Sequence, residues 1–276
     1  MGLRIATNIA SIAVQKHIKD VSATADRELE RLSSGKRITK AGDDAAGLAI
    51  AKNLEAQTRS LNQASRNAND GVSMVQTAEG SLNEISNILV RLRELSIQSA
   101  SDTVGESERG MLNLEYQELS KEVDRISAST EFNGVHLLDG EGKGILDFHV
   151  GAKGGDQNII KYDSGQTNAS ATSIGINGTG VTTKDEALTS VAAVDGAITA
   201  VSGQRASLGA IQNRLQHSAS TLDVQSVNQE HARSVIEDAD IAQSAAQLAS
   251  STIVKSAGIA ALAQANMIPA SALKLI

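Results

Sequence analysis

The sequence predicts a mainly α-helical fold: a long antiparallel helical rod that resembles a coiled coil, small β-hairpins, and a further pair of helices from the two chain ends. The composition is the first observation, because the 276 residues include only two Tyr and two Phe, no Trp and one Pro. Leu, Ile, Val and Ala must therefore provide the apolar burial, and these residues suit narrow helix-on-helix seams. Apolar residues also recur every seven positions in both halves of the chain, on either side of a glycine-rich middle.

The first predicted helix carries an apolar stripe with spacings of mostly three and four residues, which is typical of one helical face. Its members are Ile5, Ile9, Ile12, Val14, Ile18, Val21, Ala25, Leu29 and Leu32. The sequence Ser33–Ser34–Gly35 indicates the end of this helix. Gly42–Asp43–Asp44 then indicates the start of the next one, because an Asp side chain accepts hydrogen bonds from the free amides of a first helical turn.

The helices of the rod carry the most regular repeats. In the second helix the repeat consists of Leu61, Ala68, Val75, Leu82 and Leu89. In the C-terminal half it consists of Val194, Val201, Leu208, Leu215 and Leu222, and Leu188, Val191, Ile198 and Ile211 widen the stripe. The two helices are therefore expected to be partners, with a core of Leu61, Val75, Leu82, Leu89, Val201, Leu208 and Leu215. A third helix, near Leu112 to Ile126, follows a loop at Asp102–Gly105 and is expected to fold back onto the second.

The last forty residues form a helical stripe that is rich in small side chains. Its members are Ile236, Ile241, Ala245, Leu248, Ile253, Ala257, Ala260 and Leu262. This stripe is interpreted as the partner of the first helix. Periodicity alone leaves two alternatives open, because the same faces suit a self-contained helical bundle and an interface between separate chains.

The middle of the chain loses the helical pattern. Eleven glycines fall between Gly134 and Gly180, and short alternating segments appear at Leu146–Val150, Ile159–Tyr162 and Ile174–Ile176. These segments predict small β-hairpins. For Ser164–Ser173 the alternative is a flexible exposed loop.

Composition and charge exclude several classes of function. The chain has 25 basic and 32 acidic residues, and this balance argues against a nucleic-acid partner, which requires clustered Lys and Arg. The absence of Cys excludes disulfides and thiol chemistry. Hydropathy gives no membrane-spanning stretch, so membrane insertion is not expected, and the N-terminus becomes polar too early for a cleavable secretory signal.

Candidate catalytic groups have simpler structural interpretations. The five histidines, which lie far apart and in no zinc-protease pattern, are His17, His136, His149, His217 and His231. They are interpreted as isolated, solvent-facing side chains. Asp43 and Asp44 suit helix capping better than paired acid–base chemistry, and the glycine runs lack the Lys-Ser/Thr of a phosphate loop. The expectation is therefore a protein that is not an enzyme, with no catalytic residue, no metal site and no cofactor.

Specific motifs at both ends of the chain point to one family. At the N-terminal end they are Leu29–Ile38 (LERLSSGKRI), Asp43–Ile50 (DDAAGLAI), Asn67–Gly71 (NANDG), Gln76–Gly80 (QTAEG), Arg93–Leu95 with Gln98–Ala100, and Glu131–Gly134 (EFNG). At the C-terminal end they are Ile236–Ala242 (IEDADIA) and Ala261–Asn266 (ALAQAN). These motifs closely resemble the two terminal signatures of bacterial flagellin, in the same order.

The resemblance implies an architecture for residues 1–140 and 187–276. Residues 1–40 and 234–276 correspond to an inner domain of paired terminal helices. Residues 41–134 and 187–233 correspond to rod helices, and residues 135–186 to a short hairpin and loop region. Most flagellins carry further outer domains in the middle, and this chain has no room for them. It is expected to be a short form whose filament surface is made by the rod, its hairpins and a short loop.

The resemblance also implies a function, which is polymerisation into the extracellular bacterial flagellar filament for swimming motility. The residues expected to make filament contacts in the inner domain are Ile5, Ile9, Ile12, Ile18, Val21, Ile241, Leu248, Ile253 and Leu262. Residues 1–35 and 236–276 are expected to gain their order mainly from neighbouring subunits. The implied partners are further copies of the chain, sister flagellins, an export chaperone, and the filament cap and junction proteins. Export is expected through the flagellar type III apparatus, in an unfolded state and without a cleaved signal.

A second surface follows from the resemblance alone. Flagellins recognised by the vertebrate flagellin-sensing Toll-like receptor bind it through a rod-helix pattern. The matching positions here are Arg91, Arg93, Glu94, Leu95, Gln98 and Glu115. The alternative is that these residues make filament contacts. Two rival families, a hook-filament junction protein and a cytoplasmic receptor stalk, fit the terminal signatures less well.

Overall fold

The computed structural model describes residues 7–140 and 144–273, with side chains described as far as Met267. The helices are α1 (Ile9–Ser34), α2 (Ala45–Ala100), α3 (Glu106–Ser129), α4 (Lys184–Glu237) and α5 (Ile241–Leu273). The strands are β1 (Glu131–Phe132), β2 (Val135–His136), β3 (Ile145–His149) and β4 (Ile159–Asp163). The prediction of a mainly helical fold with long helices and small hairpins is confirmed. The chain divides into a terminal unit, Met1–Ala56 with Asn228–Ile276, and a central unit, Gln57–Val227.

The ends of α1 are set by its flanking residues. The side-chain oxygen of Asn8 accepts a hydrogen bond of 3.1 Å from the amide of Ser11 and so caps the first turn. At the other end, Gly35 adopts a left-handed conformation with φ of 71° and donates its amide to the carbonyl of Arg31. Glycine adopts this conformation without strain, and the helix therefore ends where the Ser-Ser-Gly sequence predicts.

The two aspartates before α2 have different tasks. The Asp44 carboxylate accepts from the amide of Gly47 at 2.8 Å and caps the helix. The Asp43 carboxylate instead accepts from the amides of Lys40 and Thr39, at 3.0 and 3.1 Å, and closes the preceding loop. These hydrogen bonds, from the Lys40 backbone first and then from Thr39, lower the pKa of Asp43. Neither carboxylate is arranged for acid–base chemistry.

The central unit is built on an antiparallel contact between α2 and α4. Ser65 donates to the Asp223 carboxylate at 2.9 Å, and Arg93 donates to Asp195 at 2.6 Å. Residue numbers therefore rise along α2 as they fall along α4. The heptad residues that lie in this core at no more than 2 % exposure are Leu61, Ala68, Val75, Leu82, Leu89, Val194, Val201, Leu208 and Leu215.

Helix α3 folds back beside α2 and packs on the same core. Arg91 of α2 donates to the Glu115 carboxylate of α3 at 2.7 Å. The Tyr116 ring is fully buried, and its hydroxyl lies 2.7 Å from the hydroxyl oxygen of Thr179. One position of the predicted stripe on α4 is wrong, because Leu188 is 54 % exposed. Ala187 occupies the core position instead, and the next residue of a helix points about 100° away.

The first hairpin was not predicted from the residue pattern. Strands β1 and β2 pair antiparallel, and only Asn133 and Gly134 connect them. Both residues have positive φ, 52° and 74°, as a type I′ turn requires. An Asn-Gly pair between two short apolar segments is a strong hairpin signal, so the sequence did contain this information.

The second hairpin agrees with the predicted segments in part. Strands β3 and β4 pair antiparallel, with Leu146 opposite Tyr162 and Phe148 opposite Ile160. The prediction of a strand at Ile174–Ile176 is wrong. This segment is a turn, closed by a hydrogen bond of 2.9 Å from the amide of Ile176 to the carbonyl of Ala171. The side chains of Ile174 and Ile176 are buried, but in the described structure their backbone forms no ladder with any strand.

The alternative of a flexible exposed loop at Ser164–Ser173 is also wrong. The Thr167 hydroxyl and the Tyr162 hydroxyl each donate to the carbonyl of Leu137 at 3.1 Å. The amide of Ala171 donates to the Asp124 carboxylate of α3 at 2.7 Å. Burial raises the pKa of Tyr162, which fits a phenol enclosed by protein. The segment therefore packs over the core despite its polar composition.

We predict that Leu208→Ala lowers the free energy of unfolding by about 2–5 kcal/mol, because it leaves a cavity in a fully buried position. The matched control is Leu188→Ala on the same helix, which removes a half-exposed side chain and should cost less than about 1 kcal/mol. Urea unfolding followed by circular dichroism measures both. Equal losses in the two variants would contradict the assignment of the core face.

Candidate functional site

In the terminal unit, α1 and α5 pack against each other through small side chains. Four positions of α5 that recur every seven residues face this contact: Ser244, Ser251, Gly258 and Ala265. A β-carbon added at Gly258 would lie 2.9 Å from Cγ1 of Ile18, so only glycine allows this close approach. The Asn8 side-chain amide donates to the carbonyl of Ala265 at 2.9 Å. Asn8 contacts Ala265 and Ile18 contacts Gly258, so residue numbers rise along α1 as they fall along α5, and the pair is antiparallel.

The residues expected to make filament contacts divide into two groups. Those half-buried in the terminal unit are Ile18, Val21, Leu248 and Leu262. Those more than half exposed are Ile9 (61 %), Ile12 (57 %), Ile241 (52 %) and Ile253 (70 %). Ile5 lies outside the described residues. The small-residue seam therefore leaves large apolar side chains on the outside of both helices.

The exposed apolar side chains extend beyond the predicted set. On α5 they include Val254, Ile259 and Met267, and on α1 they include Leu29. From Ile241 to Met267 the only charged side chain is that of Lys255. Large apolar side chains exposed along two packed helices are typical of an interaction site. This terminal apolar surface comprises the exposed apolar residues of α1 and α5.

Two backbone hydrogen bonds and one ion pair, here called the clasp, join the segment after α1 to the segment between α4 and α5. Backbone hydrogen bonds run from the amide of Arg37 to the carbonyl of Glu237, at 2.7 Å, and from the amide of Ala239 to the carbonyl of Gly35, at 2.9 Å. The Lys36 ammonium lies 2.5 Å from the buried Glu237 carboxylate. This pairing satisfies a carboxylate that would be costly to bury alone. The clasp therefore fixes the N-terminal and C-terminal segments of the terminal unit to each other.

The residues of the predicted receptor pattern do not form one surface in the structure. Arg91, Glu94 and Glu115 form one exposed cluster, in which Arg91 is 3.1 Å from Glu94 and 2.7 Å from Glu115. The hydrogen bonds that Arg91 donates, first to Glu115 and then to Glu94, raise the pKa of Arg91. Arg93 lies on another side of α2, where it pairs with Asp195 at 2.6 Å.

The remaining two positions of the pattern have opposite environments. Gln98 is exposed on α2. Leu95 has 0 % exposure and belongs to the core cluster of the central unit, which corrects its inclusion in an exposed patch. Its position on α2 turns it towards the core, because it lies three and six residues after the buried Leu92 and Leu89.

Sequence reasoning missed the residues that bring the terminal helices together. The small-residue seam has a seven-residue period of its own, at Ser244, Ser251, Gly258 and Ala265, which a search for large apolar residues does not find. The clasp between Lys36 and Glu237 joins positions 201 residues apart, and charge pattern alone gives no sign of it.

Metal-binding clusters and membrane-spanning helices are both absent from the described residues. No group of three or more His, Asp or Glu side chains in this part of the chain is placed to hold a metal ion. Nor does any described helix have the length and apolar character needed to cross a membrane. The five histidines are all exposed and lie apart.

Two family models match the chain, and together they cover most of it. The model of the bacterial flagellin N-terminal helical region matches residues 5–143. The model of the bacterial flagellin C-terminal helical region matches residues 191–276. The segments matched contain α1, α2 and α3 in the first case, and α5 with most of α4 in the second.

Characterised relatives extend over nearly the whole chain. A flagellin of Halalkalibacterium halodurans is 42 % identical over 250 residues, which is 91 % of each chain. Flagellin FlaB1 of Treponema pallidum is 36 % identical over 284 aligned residues, which is 98 % of each chain. The crystal structure of Bacillus cereus flagellin has a TM-score of 0.51 and 28 % identity, and covers 57 % of this chain and 88 % of that one. A putative flagellar hook-associated protein from Vibrio parahaemolyticus shares the fold, with a TM-score of 0.58 over 70 % of this chain and 99 % of that one, at 16 % identity.

Proposed function

The chain belongs to the bacterial flagellin family as a short form of 276 residues, and we propose that its terminal helices make the contacts by which it polymerises. Membership establishes the general function, which is that of a structural subunit of the extracellular flagellar filament, and not of an enzyme. The observation that carries the finer proposal is the terminal apolar surface. Its large side chains have no cover within the described part of the chain, whereas the contact between α1 and α5 uses small ones.

Burial of this surface against neighbouring subunits would drive assembly. Fully burying an Ile or Val side chain is worth about 1.5–3 kcal/mol. Ile9, Ile12, Ile241 and Ile253 are each more than half exposed, so several kcal/mol remain available to association. Because a copy of the same chain offers the same apolar helices, the proposed occupant is a further subunit, either of this flagellin or of a sister flagellin.

The proposed domains are close to the two units of the structure, although residues 41–56 and 228–233 are proposed as rod and lie in the terminal unit. Residues 1–40 and 234–276 are proposed as the inner domain, which gains its order mainly in the filament. Residues 41–134 and 187–233 are proposed as the rod, held by Leu61, Val75, Leu82, Leu89, Val201, Leu208 and Leu215. Residues 135–186 are proposed as the hairpin region. The change of packing supports this division, because large core residues belong to the rod and small seam residues to the terminal helices.

We predict that Ile12→Asp and Leu248→Asp each prevent filament growth while the central unit stays folded. A carboxylate in a surface that becomes buried on assembly costs far more than the lost apolar contact. Negative-stain microscopy and sedimentation of seeded reactions measure polymer, and circular dichroism measures helicity.

Lys16→Asp is the matched control, since it introduces the same side chain at an exposed polar position of α1. It should polymerise like the unmodified chain. Normal filaments from Ile12→Asp and Leu248→Asp would show that the terminal helices are not the assembly surface.

Export through the flagellar type III apparatus is a further part of the proposal. It is supported by family membership and by a chain without Cys, which needs no disulfide formation after crossing the membrane. The proposed partners are an export chaperone, which keeps the terminal apolar surface from aggregating, and the cap and junction proteins that meet the growing filament.

We predict that the chain accumulates in the culture medium of cells with a working flagellar export apparatus, and stays inside otherwise identical cells that lack it. The measurement is the ratio of secreted to cell-associated protein by immunoblot. The general secretory pathway should be blocked in a parallel culture as the control. Secretion that stops only in the control culture would contradict the proposed route.

A host immune receptor is a second proposed partner, carried by the exposed cluster of Arg91, Glu94 and Glu115. All three side chains keep at least 44 % exposure in the single chain, and hydrogen bonds hold them in one arrangement. Gln98 and Arg93 are proposed as flanking contacts. Leu95 is excluded, since it is buried. Filament contacts are the alternative role of the cluster, and both roles agree if the receptor meets free subunits.

We predict that purified monomer activates cells carrying the vertebrate flagellin-sensing Toll-like receptor, and that Arg91→Ala weakens the response about tenfold through the loss of a charged contact worth 1–2 kcal/mol. Arg66→Ala, which removes another exposed arginine of α2, is the control. If unmodified monomer does not activate the receptor, the receptor proposal is wrong, and the filament function is unaffected.

A further inference from the structure

The central unit carries an acidic groove between α2 and α3, about two helical turns before Arg91 on the same face of α2. Its volume is about 540 Å³, and its lining includes Glu84, Glu122 and Glu131 with one cation, Arg125. Arg125 is engaged by Glu122 through hydrogen bonds of 2.6 and 2.7 Å. The carboxylates of Glu84 and Glu131 are exposed, and neither has a hydrogen-bond or ion-pair partner within residues 7–140 and 144–267. The groove therefore has uncompensated negative charge.

Cations without partners are rare on the same unit. Almost every Lys and Arg side chain described there makes a hydrogen bond or an ion pair, and the exceptions are Lys153, Lys161 and Arg214. Lys161 on β4 and Arg214 on α4 flank a shallow depression of about 310 Å³. Both are exposed.

Two acidic residues lie near these cations, but no ion pair joins them within the described chain, and the lining itself has two cations and one carboxylate. Asp163 lines the depression, but its carboxylate accepts from the amide of Gly165 and the side chain of Gln166, both at 3.0 Å. Asp147 lies opposite Lys161 across the hairpin without forming an ion pair to it in the described structure. Two long cationic side chains are thus free to reach outward.

The acidic groove and the cationic depression lie on different sides of the central unit. Glu84 precedes Arg91 by seven residues, so it shares the face of α2 that meets α3. Arg214 lies on the face of α4 that meets the hairpin and not α2, in the lining that also contains Thr167. The two linings share no residue, and no ion pair joins them within the described chain.

We propose that Lys161 and Arg214 of one subunit enter the acidic groove of a neighbouring subunit in the filament. A contact between two different surfaces is heterologous, and it propagates through a helical polymer where a contact between identical surfaces would close a dimer. The complementary charges would set orientation and register, which is the usual role of rim charges at an interface. The inference rests on the filament function and adds a contact on the central unit to those of the terminal helices.

Charge reversal on each side tests the contact. Lys161→Glu and Glu84→Lys should each raise the critical concentration for seeded polymerisation about fivefold, since an exposed pair is weak and reversal replaces attraction by repulsion. The two changes combined in one chain should restore it to within about twofold. Raising the salt concentration should shrink the defect of each single variant.

Lys153→Glu is the matched control, because it makes the same charge change on the same hairpin outside both linings. It should polymerise like the unmodified chain, and circular dichroism should show all monomers equally helical. Single variants with an unchanged critical concentration, or a combined variant no better than either single one, would overturn the contact. The unmodified chain, polymerised in parallel, tests the filament function separately from the groove.

Discussion

The antiparallel contact between α2 and α4 is the interaction on which the rest of the central unit depends. Buried apolar side chains meet along it at every heptad position from Leu61 to Leu89, and each fully buried Leu or Val contributes about 1.5–3 kcal/mol. The bonds of Ser65 and Arg93 to α4 fix the register. Helix α3, both hairpins and the segment that follows them then pack onto a surface that these two helices already provide. An apolar core of this length gives the central unit its own source of stability.

The terminal unit uses the same seven-residue spacing with different side chains. Ser251 and Gly258 let α1 and α5 approach closely, but they bury little apolar area. The large residues, such as Ile12 and Ile253, lie on the outside. One repeat therefore builds a self-sufficient helix pair, whereas the other builds a pair with exposed apolar side chains, which the proposed assembly contacts would cover. This contrast connects the sequence pattern to a protein whose function is to polymerise.

The sequence was informative wherever large side chains repeat, and less so elsewhere. The heptads of α2 and α4 are read from the sequence because a large apolar residue at each seventh position has few alternative explanations. The alternation at Ile174–Ile176 wrongly predicts a strand, since alternation over three residues does not distinguish a strand from buried single contacts. Packing of Ser164–Ser173 depends on bonds to the distant Leu137 and Asp124, which local composition does not encode. The burial of Leu95, by contrast, follows from its spacing of three and six residues from Leu92 and Leu89, which already marks the core side of α2.

The clasp has a mechanical meaning. The bond from Arg37 to Glu237 and the bond from Ala239 to Gly35 join the segment after α1 to the segment before α5. Neither segment can lengthen without breaking the same small set of bonds, so the two chain connections share any tension as one element. The chain has no Cys and therefore no disulfide. Two backbone hydrogen bonds and one ion pair stiffen the two connecting segments of the terminal unit as one element.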